Sequence, residues 1–105
     1  MLIYIDIDET ICYYKDGGSR NYSKAIPDYQ KIEIANGLYE AGHTIVYWTA
    51  RGSVSGVDYT DITKQQFEEW GVKYHELRLD KPYYDLFVDD RTLNTLGEVA
   101  QWKSI

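Results

Sequence analysis

Apolar positions along this chain come in short unbroken runs, each closed by polar residues. Leu2-Ile3-Tyr4-Ile5 leads straight into Asp6-Ile7-Asp8-Glu9-Thr10. A run of this kind suits a strand buried on both faces, as at the centre of a parallel sheet. Thr44-Ile45-Val46-Tyr47-Trp48-Thr49 is a second such run, ending in Ala50-Arg51-Gly52. Val72-Lys73-Tyr74-His75-Glu76-Leu77 is a short third, and Leu86-Phe87-Val88 a fourth, closed by Asp89-Asp90-Arg91.

Between the runs the spacing turns helical. Pro27 and Asp28 suit a first turn, Ile32, Ala35, Leu38 and Tyr39 give one apolar stripe, and Gly42 is a stop. A second helix is capped by Thr60 or Asp58, faces Ile62, Thr63, Phe67 and Trp70 inward, and ends at Gly71. Thr95 and Glu98 form a capping box for a short last helix with Val99 and Trp102. Asp16-Gly17-Gly18 between tyrosine-containing segments is a turn signal, and it predicts a β-hairpin after the first strand. The order β, hairpin, α, β, α, β, β, α implies parallel strands joined by right-handed crossovers. The expected fold is α/β, a three-layer Rossmann-like sandwich with sheet order 3-2-1-4 and the first strand in its interior. Its 105 residues provide for one domain, 1–105.

Composition narrows the function. A net charge of −6 repels polyanions, which disfavours nucleic acid as a partner. Cys12 is the lone cysteine, so no internal disulfide forms and a reducing cytoplasm is the expected compartment. The chain opens directly on a strand, with no signal-peptide pattern, and no run approaches the ~18 apolar residues of a membrane span.

The chemistry collects at strand ends. In open α/β sheets ligands bind outside the carboxyl ends of the strands. That brings together Asp6 and Asp8, Thr49, Asp89 and Asp90, with Lys81 in the loop before the fourth run. Asp6-x-Asp8-x-Thr10, Thr49, Lys81 and Asp89-Asp90, in that order, resemble the four motifs of the haloacid dehalogenase (HAD) superfamily of phosphohydrolases. The resemblance spans essentially the whole chain. It implies a Mg²⁺-dependent phosphomonoesterase acting through an aspartyl-phosphate. Asp6 would be the nucleophile and Asp8 the general acid and base. The Thr49 hydroxyl and the backbone amides after it, at Ala50 and Arg51, would hold the phosphate, and Lys81 would pair with the phosphoryl oxygens and with Asp6. The Arg51 side chain would bind phosphate or a substrate anion, or form a salt bridge with a nearby acid. Mg²⁺ would sit on Asp6, the Asp8 carbonyl, and Asp89 or Asp90. These residue types also suit phosphoryl transfer on chemical grounds, since that reaction needs a nucleophile, neutralised equatorial oxygens and a proton carrier.

Glu9 departs from the family, which usually carries glycine there. The intervals leave no room for a cap domain, so the chain is similar to minimal members such as small bacterial and phage capsule-biosynthesis-type phosphatases. The site would then be open, or closed by the hairpin, the 52–60 loop or a second subunit. The substrate expected is a sugar phosphate or another small phosphomonoester. A 3′-phosphatase acting on nucleotide or nucleic-acid ends is the alternative, since Val88-Asp89-Asp90-Arg91 resembles the phosphatase domain of polynucleotide kinases. A catalytically silent HAD-like or receiver-like binding domain is a further one. Receivers place their paired acids after strand 1 and the phosphorylated aspartate after strand 3, an order this chain does not follow. His75, on the third run, is a candidate for the substrate rim, and His43 for a surface turn.

Overall fold

The computed structural model of the chain describes residues 1–15 and 21–101. Three strands, β1 (Leu2–Ile5), β4 (Thr44–Trp48) and β5 (Glu76–Arg78), form a parallel sheet in the order β1-β4-β5. Leu2 pairs with Thr44 and Ile5 with Tyr47, and Val46 pairs with Glu76 and Trp48 with Arg78. All three carboxyl ends therefore open on the same side. Helices α1 (Tyr29–Glu40) and α2 (Thr60–Trp70) make the two crossovers.

The first helix begins at its expected cap, whereas α2 has Tyr59 at its N-cap with no side-chain capping bond, and Asp58 forms the turn before it. The Asp28 side chain accepts from the Lys31 amide at 3.3 Å and satisfies one of the free donors of the first turn of α1. Asp58 accepts from both the amide and the hydroxyl of Thr60, at 2.9 and 2.5 Å, ahead of α2. Most of each expected stripe is buried, Ile32, Ala35 and Leu38 on α1 and Thr63, Phe67 and Trp70 on α2, while Tyr39 and Ile62 are half-buried. The buried apolar ones meet Ile5, Ile7, Ile45 and Tyr47 in one core cluster, with Tyr47 edge-on to Phe67 at 4.9 Å. Alternation along β1 sends Leu2 and Tyr4 the other way, where they remain 63% and 45% exposed.

Three expectations are modified. Asp16-Gly17-Gly18 lies outside the described residues, as does Trp102. The first arm of the expected hairpin is present as β2 (Cys12–Tyr13), but its antiparallel partner is β3 (Ile26–Pro27), reached after a 3-10 turn at Tyr22–Lys24. Pro27 thus ends a strand, and α1 starts two residues later. The last helix is a 3-10 segment, Leu96–Gln101, anchored by buried Leu96.

Leu86-Phe87-Val88 differs most from its sequence pattern. It lies outside any strand, with Leu86 79% and Val88 86% exposed, so the sheet has the 3-2-1 part of the expected order and β1 is an edge. Three apolar residues between Asp85 and Asp89 supply few ladder hydrogen bonds, and burial on one face cannot be read from so short a run. The third expected strand is likewise shorter than its sequence window, because Val72 and Tyr74 go to the core as a turn before β5 begins.

Candidate active site

Register places the chemistry. Asp6 follows Ile5, whose partner is Tyr47, so the first aspartate stands beside the end of β4. The ladder runs on past β5, with the Thr49 amide donating to the Arg78 carbonyl at 2.9 Å. The Lys81 amide then donates to the Thr49 carbonyl at 3.2 Å, and the Ser53 hydroxyl to the Lys81 carbonyl at 2.6 Å. These bonds fix the backbone of Lys81 at the sheet edge and bring its ammonium 3.7 Å from Asp6 Oδ2. Asp6 Oδ1 accepts from the Ile7 amide at 2.8 Å, leaving Oδ2 as the oxygen turned to the lysine. Burial pushes the Asp6 carboxyl pKa up, while Lys81 and the Ile7 amide pull it down and the charge of Asp8 adds to the rise. The side chain keeps 41% exposure, so solvent screens part of this contest.

Asp8 turns inward, to a different partner. Arg51 grips it with two bonds, Nε to Oδ2 at 3.1 Å and Nη2 to Oδ1 at 2.9 Å, and Tyr14 adds its hydroxyl to Oδ1 at 2.5 Å. The other guanidinium nitrogen, Nη1, donates to Thr63 Oγ1 at 3.0 Å and Gln66 Oε1 at 2.7 Å on α2. Arg51 is 2% exposed, and the Tyr22 ring covers its guanidinium at 4.8 Å. Burial works to lower the Arg51 pKa, but the bonds and charge of Asp8 outweigh it and the net direction is up. Tyr14 is held as a neutral donor: burial, then its bond to Asp8, pushes its pKa far up. Cys12, whose thiol lies 3.5 Å from Asp8 Oδ1, is pushed up to about 12 by burial first and by the Asp8 charge second. It is a packed thiol, not a nucleophile.

Two turns carry this geometry. Glu9 sits at φ 64°, the left-handed region that favours glycine, between the two strand-end aspartates and Cys12. Gly52, at φ 84°, follows Arg51 directly, and a Cβ there would meet the Val57 carbonyl oxygen at 2.1 Å. Only glycine fits.

The expected residues are thus partly assembled. Asp6, Lys81 and Thr49 share the carboxyl edge, and Thr49 is buried with its hydroxyl accepting from the Arg51 amide at 3.1 Å. Ala50 is half-buried in the same turn. Of the two roles expected for the Arg51 side chain, phosphate binding or a salt bridge with a nearby acid, the structure has the second. It is engaged by Asp8, Thr63 and Gln66, because a fully buried guanidinium must place its donors on protein acceptors. Asp89 and Asp90 are exposed, and the Asp89 carboxylate accepts from the Arg91 amide at 2.8 Å. Among the described residues no three carboxylate, histidine or cysteine side chains converge on a point that would hold a metal ion. Asp6 stands at the carboxyl end of β1, and Asp89 and Asp90 lie on exposed backbone outside any strand. His75 is not on the substrate rim. It lies at the opposite end of β4, where Nδ1 accepts from the Ile45 amide at 3.0 Å and the ring stacks on Tyr39 at 4.6 Å. His43 pairs with the amino group of Met1 at 2.7 Å.

Sequence reasoning missed Tyr14 and Gln66 as partners of this network, and Trp48 and Tyr84 around Lys81. Gln66 carries a signal in retrospect: it is polar, yet it falls with Thr63, Phe67 and Trp70 on the buried side of α2. A buried amide and hydroxyl on one stripe call for a buried polar partner.

No family model matches the chain, and no curated protein matches it. Among solved structures, it is similar to a Vibrio cholerae protein described as an MCSG target, at 23% identity with a TM-score of 0.76. The match covers 89% of this chain and 83% of that one. That likeness speaks for the α/β fold, which the two chains share over most of their length. No helix among the described residues is long and apolar enough to cross a membrane.

Proposed function

We propose that this chain is a phosphomonoester hydrolase of HAD type that forms an aspartyl-phosphate on Asp6. One observation carries the reading: Asp6 Oδ2 and the Lys81 ammonium, far apart in sequence, stand 3.7 Å apart at the carboxyl edge of a parallel sheet. A carboxylate oxygen beside a fixed cation is what an in-line attack on a phosphoryl group calls for. The lysine keeps the attacking oxygen ionised and draws the equatorial oxygens towards it. Asp6 Oδ2 forms the new bond to phosphorus, the ester oxygen leaves and takes a proton, and water then attacks phosphorus and returns the Asp6 carboxylate.

Asp8 is the proton carrier in this scheme. Held by Arg51 and Tyr14 it is a carboxylate, the form that takes a proton from the attacking water. To protonate the leaving oxygen Asp8 takes up a proton from solvent before the attack, gives it to the ester oxygen as that group leaves, and regains one from the water that attacks the phospho-enzyme. Tyr14 stays a neutral hydrogen-bond donor that positions the carboxyl group. The reading includes Mg²⁺ as cofactor, which Asp6, the Asp8 carbonyl and Asp89 or Asp90 would hold and which would neutralise phosphoryl charge. It would need Asp89 or Asp90 beside Asp6, with Leu86-Phe87-Val88 taking the fourth position of the sheet on the open edge of β1. That placement completes the 3-2-1-4 order of a three-layer sandwich. The substrate is a small phosphorylated molecule, and the compartment the cytoplasm.

A second reading, a HAD-like binding domain without turnover, draws on one fact: both oxygens of Asp8 are already engaged by Arg51. Phosphate release from p-nitrophenyl phosphate, with and without Mg²⁺, separates the two. The hydrolase reading expects activity in the wild type and at least a thousandfold less in Asp6→Asn. Equal activity in both proteins would refute it, and inactivity of both towards a broad panel of phosphomonoesters would favour the second.

A further inference from the structure

The surroundings of Lys81 are aromatic to a degree that phosphate binding does not require. Its ammonium lies over the Trp48 ring at 5.6 Å and over the Tyr84 ring at 5.3 Å, while reaching Asp6. Tyr84 in turn meets Phe87 with ring centroids 5.3 Å apart and planes tilted by 33°, and Tyr4 stands edge-on to Trp48 at 5.6 Å. Tyr84, Phe87 and Tyr4 are 39%, 44% and 45% exposed. Scattered surface aromatics need no explanation, but a contiguous group of them beside the polar groups of a site marks a ligand surface.

We propose that these rings are a stacking platform that selects phosphomonoesters whose leaving group carries a flat, uncharged ring, a nucleobase or an aryl group. The inference rests on the hydrolase reading for the position of the phosphoryl group, and names the part of the substrate beyond it. One lysine side chain touches the carboxylate and both flanking rings, so a group one sugar or one bond away from the phosphate reaches the platform. Base–aromatic stacking tolerates any base, because every base has a π-face. A second phosphate is selected against: Asp80 accepts from the Trp48 indole at 2.9 Å on the same rim, and the chain carries −6. Arg78, bonded to the platform's Tyr4, is occupied by Asp80 at 2.6 Å and by the Tyr4 hydroxyl at 3.2 Å. The favoured substrate is therefore a monophosphate.

The test compares kcat/KM for adenosine monophosphate, phenyl phosphate and ribose 5-phosphate in the wild type, Tyr84→Leu and Tyr84→Phe. The proposal expects at least about a fivefold preference for the two ring-bearing esters over ribose 5-phosphate. Tyr84→Phe keeps that ratio and Tyr84→Leu brings it towards one. A preference for adenosine monophosphate alone assigns the ring to a nucleobase, and an equal preference for phenyl phosphate assigns it to any aryl group. No preference in the wild type, or a ratio unchanged in Tyr84→Leu, overturns the platform while leaving the hydrolase reading intact. Calorimetric titration of the Asp6→Asn protein with adenosine monophosphate and ribose 5-phosphate covers the converse. If no ester is hydrolysed, tighter binding of the ring-bearing ligand that is lost with Tyr84→Leu still supports the platform, and equal binding refutes it.

Discussion

Arg51 is the residue whose removal the structure makes most costly. Its side chain is fully enclosed and donates to Asp8 twice, to Thr63 and to Gln66. In Arg51→Met the apolar volume is roughly kept, but the Asp8 side chain, only 10% exposed, loses both charge-assisted bonds from the guanidinium. The Gln66 carbonyl and one lone pair of Thr63 lose their donor at the same time. Breaking a buried ion pair from one side typically costs about 3–5 kcal/mol, because the charge left behind stays desolvated. A domain of this size has roughly 5–15 kcal/mol in total. The variant should therefore unfold about 15 °C or more below the wild type. Changing both members restores neutrality: Asp8→Asn with Arg51→Met should recover about half of the loss, since an amide remains satisfied by Tyr14. Urea titrations of the four proteins of this cycle measure the coupling directly. A single-variant loss below about 1 kcal/mol, or strict additivity of the two changes, would refute the argument that this pair holds the strand end to α2.

Other outcomes follow from the same geometry. Lys81 lowers the Asp6 pKa against the rise caused by burial, and a nucleophilic carboxylate must be ionised. Lys81→Gln should therefore move the acid limb of kcat/KM to higher pH, beyond a large fall in kcat; an unmoved limb would separate Lys81 from Asp6. The hydroxyl of Tyr47 is wholly buried with no hydrogen-bond partner among the described residues, and burial raises its pKa. Tyr47→Phe removes a desolvated group at constant shape, so thermal unfolding should show no loss and up to about 1–3 kcal/mol of gain. A loss above 1 kcal/mol would mean that this hydroxyl is satisfied in solution. If Leu86-Phe87-Val88 completes the sheet when a metal recruits Asp89 or Asp90, Mg²⁺ should slow hydrogen exchange at the amides of 86–90 and of β1, and Ca²⁺ should do so less. Unchanged exchange would leave β1 as a permanent edge.

Much of the frame was legible because it depends on local pattern. The stripe Ile32, Ala35, Leu38 and the runs at 2–5 and 44–48 state their own periods, and parallel pairing with helical crossovers follows from their order. What sequence could not state is which partner each charged group finds. Arg51 reads from sequence as a phosphate ligand or as the partner of some nearby acid, and only the fold, which buries it beneath Tyr22, names Asp8, Thr63 and Gln66. Leu86-Phe87-Val88 reads as a strand by composition, yet strand formation is a tertiary event that three residues do not secure. The aromatic surround of Lys81 was illegible for a related reason. Trp48 reads as the last residue of a strand and Tyr84 as part of a loop, and only the Thr49–Lys81 backbone bond brings them to one cation.

The central claim is a covalent one, and it is tested most directly at Asp6 itself. The wild type and Asp8→Asn are incubated with Mg²⁺ and p-nitrophenyl phosphate or acetyl phosphate, quenched in acid, and digested for mass spectrometry. The account expects one phosphoryl group on the peptide that contains Asp6, at higher occupancy in Asp8→Asn, where its hydrolysis is slowed. Turnover without any such adduct, or an adduct on another residue, would contradict it.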